Sequence, residues 1–270
     1  MGRIDEIFTR ARDERSKLLM PFVCAGSPTP GSLGPLLSVM QRAGAGVVEV
    51  GFPFSDPIAD GPAIASAMHA ALEGGCTPTG VLDEVASVRD QLSIGLVAMV
   101  SVSIVMAMGG AEAFSRRARD AGFDGLIVPD CPLEESGELI EATSATGLSL
   151  SLLVAPTTPH DRAAEIARVC SGFVYMLARS GITGERDEAP DIGPRIERLR
   201  ACADLPLACG FGISTPEHVR AVVQHADAAI VGSALVRRLR DAHERGDDAI
   251  GAGESFVREL AGGLVAHSGT

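Results

Sequence analysis

Along the chain, short runs rich in Val, Ile, Leu and Ala alternate with stretches whose apolar residues recur every three or four positions. The short runs fall at 21–25, 46–51, 94–101, 125–128, 148–154, 173–177, 206–210 and 228–231. The helical patterns fall at 32–43, 78–91, 111–121, 134–146, 159–169, 193–202, 216–224 and 254–266. Strands alternating with helices imply parallel pairing through right-handed crossovers. Eight such units predict a closed (β/α)8 barrel, the TIM-barrel class, which typically takes about 250 residues. The 270 residues therefore read as a single α/β domain, 1–270, with no linker or low-complexity segment. The phrases AGAGVVEVGF, AGFDGLIVPD and HADAAIVGS look like echoes of one βα unit. No Gly-x-Gly-x-x-Gly follows the first strand to favour a dinucleotide fold.

Two segments need separate treatment. The first 19 residues are amphipathic and densely charged, which predicts an extra N-terminal helix and no secretory leader. The stretch 92–111 carries no charged residue and approaches the length of a membrane span. It contains Gly95, Ser101, Ser103, Gly109 and Gly110 and lacks flanking positive charge, so it reads as a buried parallel strand running into a loop. No membrane association is expected.

Composition narrows the chemistry. Twenty-three basic against 35 acidic side chains give a net charge of −12, which argues against a general nucleic-acid binder. Aromatics are 4% of the chain, with no Trp and one tyrosine, Tyr175, so there is no stacking platform for bases. Lys17 is the only lysine and precedes the first strand, which disfavours Schiff-base chemistry. The six cysteines form no Cys-x-x-Cys pair and stand at no zinc-ligand spacing, so no metal is expected. Free thiols in apolar surroundings fit a reducing cytoplasm.

In a barrel of this class the working face is the C-terminal end of the strands. Those ends carry Ser27, Glu49, Ser101, Asp130, Tyr175 with Arg179, the turn 210–212, and Gly232 with Ser233. Glu49 sits between Val48 and Val50 inside an apolar strand. If the valines face the helices, alternation turns Glu49 into the barrel, where burial raises a carboxyl pKa. The plainer alternative is a structural glutamate paired with an arginine. Downstream, Asp56 and Asp60 lie in a Pro-rich loop, where aspartates are mostly turn formers. Glycine turns at 180–184, 210–212 and 232–233 follow the last three strands. They are either ordinary loop glycines or a phosphate cradle of backbone N–H groups, with Ser233 capping a helix that starts near Ala234.

With these motifs the chain resembles the tryptophan synthase alpha chain family. The likeness runs from PFVCAGSP through EVGFPFSDPIADGP, GLIVPD with EES, YMLARSGITG and GFGIS to VGSA, nearly the whole sequence. The resemblance implies a lyase that splits indole-3-glycerol phosphate into indole and glyceraldehyde 3-phosphate in tryptophan biosynthesis. By the same resemblance, Glu49 is the general acid and base, Asp60 accepts from the indole N–H, and Tyr175 lies near the substrate. Gly184, Gly212, Gly232 and Ser233 stand nearest the phosphate, and 179–190, with Arg179 and Thr183, matches a lid. It further implies no cofactor in this chain and a pyridoxal-phosphate beta chain as partner, in an alpha2beta2 heterotetramer.

The chain departs from the family pattern in two places. Ser27 stands in A-G-S-P where many members have aspartate, and Ser101-Val102-Ser103 stands where many read Tyr-x-Asn. Two readings compete with an alpha subunit: a free-standing indole-glycerol-phosphate lyase, and a weakly catalytic subunit that activates a beta chain. The alpha subunit of a complex is the leading reading; the departures keep the former rival open, and the retention of Glu49, Asp60 and Tyr175 opposes the latter.

Overall fold

The structure is a computed structural model that describes residues 2–57, 60–178, 192–210 and 212–264. Its strands are β1 (Leu18–Cys24), β2 (Val47–Gly51), β3 (Gly95–Met99), β4 (Gly125–Ile127), β5 (Ser149–Ser151), β6 (Leu153–Val154), β7 (Val174–Leu177), β8 (Leu207–Gly210) and β9 (Ala228–Val231). All pairings are parallel, in the order β5-β4-β3-β2-β1-β9-β8-β7-β6. The two ends of that order are one stave. The run expected at 148–154 is divided at Leu152, so β5 bonds to β4 and β6 to β7. Backbone bonds from Ser171 to Leu150 (2.8 Å) and from Tyr175 to Leu152 (3.3 Å) carry the closure across the break. The result is a barrel of eight staves, as the alternating pattern predicts.

Side-chain alternation sorts the strands into two cores. Outward-facing Val48, Val50, Leu96, Ala98, Leu126, Val174, Met176, Cys209 and Val231 join the layer under the helices. Met20, Val47, Val97, Ile127, Tyr175, Ala208, Ala228 and Ile230 pack together inside. Strands buried on both faces read as continuous apolar runs, which is how they appear in the sequence.

The surrounding helices are α1 (Arg3–Asp13), α2 (Leu33–Arg42), α3 (Pro62–Glu73), α4 (Pro78–Val88), α5 (Val102–Ala107), α6 (Gly110–Ala121), α7 (Gly137–Thr146), α8 (His160–Val169), α9 (Gly193–Arg200), α10 (Pro216–Val223), α11 (Ser233–Glu244) and α12 (Ala249–Ala261). The expected N-terminal helix is α1, and it plugs the N-terminal end of the barrel. Ile4 and Phe8 enter the inner core, with the Phe8 and Phe173 rings 5.8 Å apart. A Cβ at Gly95 would come within 2.7 Å of Ile4, so a glycine there admits the plug. Beside it Asp124, 4% exposed, meets Arg89 at 2.9 Å and Arg3 at 3.4 Å and accepts from the Leu96 N–H. With that end closed, the opposite end is free to hold a site.

Three expectations are corrected. The stretch 92–111 is not strand and loop: after β3 it forms α5 and enters α6 at Gly110. The last helix begins at Ala249, not Glu254, because Asp248 caps it through the Gly251 N–H at 3.0 Å, and its α-helical part ends at Ala261. Ser233 does not cap α11: it is the first helical residue, Gly232 holds the cap position, and no side chain closes the turn. No helix among the described residues is long and apolar enough to cross a membrane.

Candidate active site

A cavity of about 550 Å³ opens at the C-terminal ends of the strands. Its lining includes Glu49, Asp60 and Tyr175 together with Gly212, Gly232 and Ser233. Six of the sequence-derived site residues thus meet in one space. Arg179, Thr183 and Gly184 lie outside the described residues.

Glu49 is where β2 alternation sends it. Val47, two residues earlier, belongs to the inner core, and Val48 and Val50 to the outer one. Glu49 is wholly buried, and neither carboxyl oxygen has a hydrogen-bond partner among the described residues. No arginine among the described residues pairs with it, which disfavours the structural alternative. Burial without a partner disfavours the charged form, and it holds the Glu49 pKa well above the carboxylate range. A buried, unpaired carboxylic acid aimed into a cavity is a proton donor waiting for an acceptor.

Asp60 sits just before α3, whose first residue is Pro62, a position where proline fits because that N–H is unpaired in any helix. Partial burial raises its pKa to about 6. Burial thus favours the protonated form of Glu49 strongly, whereas Asp60, at about 6, is mostly ionised at neutral pH. Tyr175, 5% exposed, rises from β7 on the stave across the barrel from β2. Burial above all raises the pKa of its phenol well above the usual tyrosine range. A Cβ on Gly210 would come within 2.9 Å of the Tyr175 hydroxyl, so the ring needs that glycine.

The turns at β8 and β9 form the opposite lip. Gly212 has φ +80°, a left-handed conformation that favours glycine for backbone reasons alone. Gly232 differs: its φ is −114°, and a Cβ there would meet only Ile64 at 3.6 Å and Phe22 at 3.7 Å. The protein itself has room for a side chain at Gly232, on the side that faces the cavity. Beyond it, the first N–H groups of the 12-residue α11 have no intrahelical acceptors. No Lys or Arg among the described residues lines the cavity, so an anion there would rest on backbone N–H groups and the helix dipole.

Sequence reasoning missed most of the apolar wall: Phe22, Ile64, Met68, Met99, Leu153 and Ile230. Strand parity could have found Phe22 and Met99, which fall in step with inward-facing Met20 and Val97. Of the two departures, Ser101 lines the cavity and donates to Asp130 at 2.6 Å. Ser27 is buried outside it, its carbonyl accepting from the Ser32 hydroxyl at 3.0 Å.

A barrel with two carboxyls, raised by burial to different degrees, beside an apolar cavity, and an anion lip at its last two strands, defines a barrel enzyme of acid–base chemistry. The family model described as tryptophan synthase alpha chain matches residues 8–264. The chain belongs to the tryptophan synthase alpha chain family, whose alpha subunit is a lyase cleaving indole-3-glycerol phosphate in tryptophan biosynthesis. The tryptophan synthase alpha chain of Phenylobacterium zucineum is 41% identical over 261 residues, 96% of this chain and 94% of that one. That of Prochlorococcus marinus strain MIT 9313 is 43% identical over 238 residues, covering 87% and 86%. The crystal structure of tryptophan synthase subunit alpha from Legionella pneumophila superposes with a TM-score of 0.90 at 31% identity, covering 98% of each chain. Mycobacterium tuberculosis tryptophan synthase gives 0.88 at 30% identity, covering 97% of this chain and 98% of that one.

Proposed function

We propose that the cavity binds indole-3-glycerol phosphate with its phosphate on the Gly212 and Gly232–Ser233 lip and its ring between Glu49 and Asp60. The observation that carries this reading is the unpartnered, fully buried Glu49 carboxyl. Glu49 donates its proton to the ring carbon that bears the glycerol side chain. The ring nitrogen then carries positive charge, and Asp60, ionised, accepts its N–H and stabilises that charge. Glu49, now a carboxylate, takes the proton of the hydroxyl next to the bond to be broken. That oxygen becomes the aldehyde oxygen of glyceraldehyde 3-phosphate, and the bonding pair returns to the ring as indole. The proton that Glu49 gave is restored, so one residue serves as acid and base in turn. Tyr175 walls the site opposite β2.

The chain's own chemistry calls for no cofactor, and pyridoxal phosphate belongs to a beta chain that receives the indole. The cavity mouth is the docking face for that partner, with Phe54, Pro57 and Asp56 on its rim. On α5, which follows the cavity-lining Ser101, Met106 is 61% exposed. An alpha2beta2 heterotetramer acting in the cytoplasm is the assembly this reading expects. The direct test supplies the purified chain with indole-3-glycerol phosphate and follows indole and glyceraldehyde 3-phosphate. Equal amounts of both products support the reading; substrate consumed without indole, or not at all even with a beta chain present, contradicts it.

A further inference from the structure

One polar group in the cavity has no part in the reaction above. On the wall formed by the ends of β3 and β4, the Ser101 hydroxyl donates to Asp130 Oδ2 at 2.6 Å, and the Val102 N–H donates to Asp130 Oδ1 at 2.9 Å. The Ser103 N–H donates back to the Ser101 hydroxyl at 3.2 Å, closing the first turn of α5. Ser101, Ser103 and Asp130 all line the cavity, whose neighbouring wall is otherwise apolar at Met99, Val100 and Leu153. Asp130 is exposed and makes no ion pair among the described residues. A carboxylate offers about four acceptor positions, and these two donors leave capacity for a third on a residue that lines the cavity.

The stave order places this wall. With β5 and β6 as one stave, β3 and β4 stand across the barrel from β8 and β9. A substrate whose phosphate rests at β8 and β9 and whose reacting carbon lies at Glu49 on β2 points the far edge of its ring at β3 and β4. On the strength of the proposed function, we infer that Ser101, Ser103 and Asp130 form a specificity-determining subsite for the benzo edge of the indole. It admits indole-3-glycerol phosphates carrying a small hydrogen-bond donor, a hydroxyl or an amino group, on that edge. The donor bonds to Asp130, and the short side chains of Ser101 and Ser103 leave it room. An apolar wall would instead reject such a group through its lost hydration.

The test compares kcat/KM for indole-3-glycerol phosphate and for its 5-hydroxy and 6-hydroxy derivatives, in the full chain and in Asp130→Ala and Ser101→Val. The readout is the ratio of hydroxylated to parent substrate, which a purely structural loss would leave unchanged. Wild type is expected to cleave at least one derivative within about tenfold of the parent. In both variants that ratio should fall by about tenfold, the worth of one hydrogen bond. Ser101→Val keeps the question decidable if Asp130→Ala does not fold. Wild type that cleaves the parent but discriminates more than a hundredfold against both derivatives, or variants with an unchanged ratio, overturn this inference alone. Wild type that cleaves none of the three overturns the proposed function and this inference together.

Discussion

Glu49 and Asp60 are both carboxyls in one cavity, yet burial acts on them to different degrees. Glu49 is fully enclosed, its two oxygens unpaired among the described residues, while Asp60 is only partly buried and its pKa stops at about 6. That difference sets a pH dependence. Asp60 must be ionised to stabilise the ring nitrogen, and it takes up a proton as the pH falls through about 6. The kcat/KM of cleavage should therefore drop on the acid side with an apparent pKa near that value, and Asp60→Asn should lower the plateau and flatten this limb. A wild-type profile level down to pH 5 would contradict the role given to Asp60. Glu49 is legible in the sequence because a carboxyl between two valines in an apolar strand is costly to bury, and so stands out from its surroundings. Asp60 is not: an aspartate in a Pro-rich loop has the signature of a turn, and the family likeness alone singled it out.

At the scale of elements, α11 and the turns before it test the anion lip. Gly232→Ala places a methyl on the cavity side with no contact shorter than 3.6 Å, so the fold should keep its stability while KM rises. Gly212→Ala forces a side chain into φ +80° and should cost about 1–2 kcal/mol of stability as well. Chemical denaturation alongside steady-state kinetics separates the two effects; a Gly232→Ala enzyme with unchanged KM would remove the lip as a phosphate site. The strands were readable because eight apolar runs recur between helical periods. α5 was not, since six residues span fewer than two helical periods and its sequence is as apolar as the strand before it. The placement of Ser233 failed for a backbone reason. Gly232, at φ −114° and ψ −88°, makes the turn itself, and Ser233 is drawn inside the helix. The apolar cavity wall stayed hidden because residues facing either side of a doubly buried strand look alike in sequence.

For the whole molecule, α1 closes one end of the barrel and leaves the other open as the face of the proposed chemistry and the proposed docking of a partner. A beta chain docked there would cover the rim and retain indole, so binding and catalysis should be coupled. We expect indole formation to be slow in the isolated chain and to rise at least about tenfold with a cognate beta chain, roughly 1.4 kcal/mol of coupling. Rapid cleavage by the isolated chain with no complex on size-exclusion chromatography would favour the free-standing lyase. The net charge of −12 does not bear on that choice.

The central claim is that the buried carboxyl of Glu49 moves the protons of carbon–carbon cleavage. The most direct measurement is indole release from indole-3-glycerol phosphate by Glu49→Gln, alongside equilibrium binding of an unreactive substrate analogue to the same variant. The amide fills the same space inside the barrel but can neither give nor take the proton. Turnover should fall by about 10² to 10⁴ while the analogue binds as it does to wild type. A Glu49→Gln chain that releases indole at close to the wild-type rate would contradict the account.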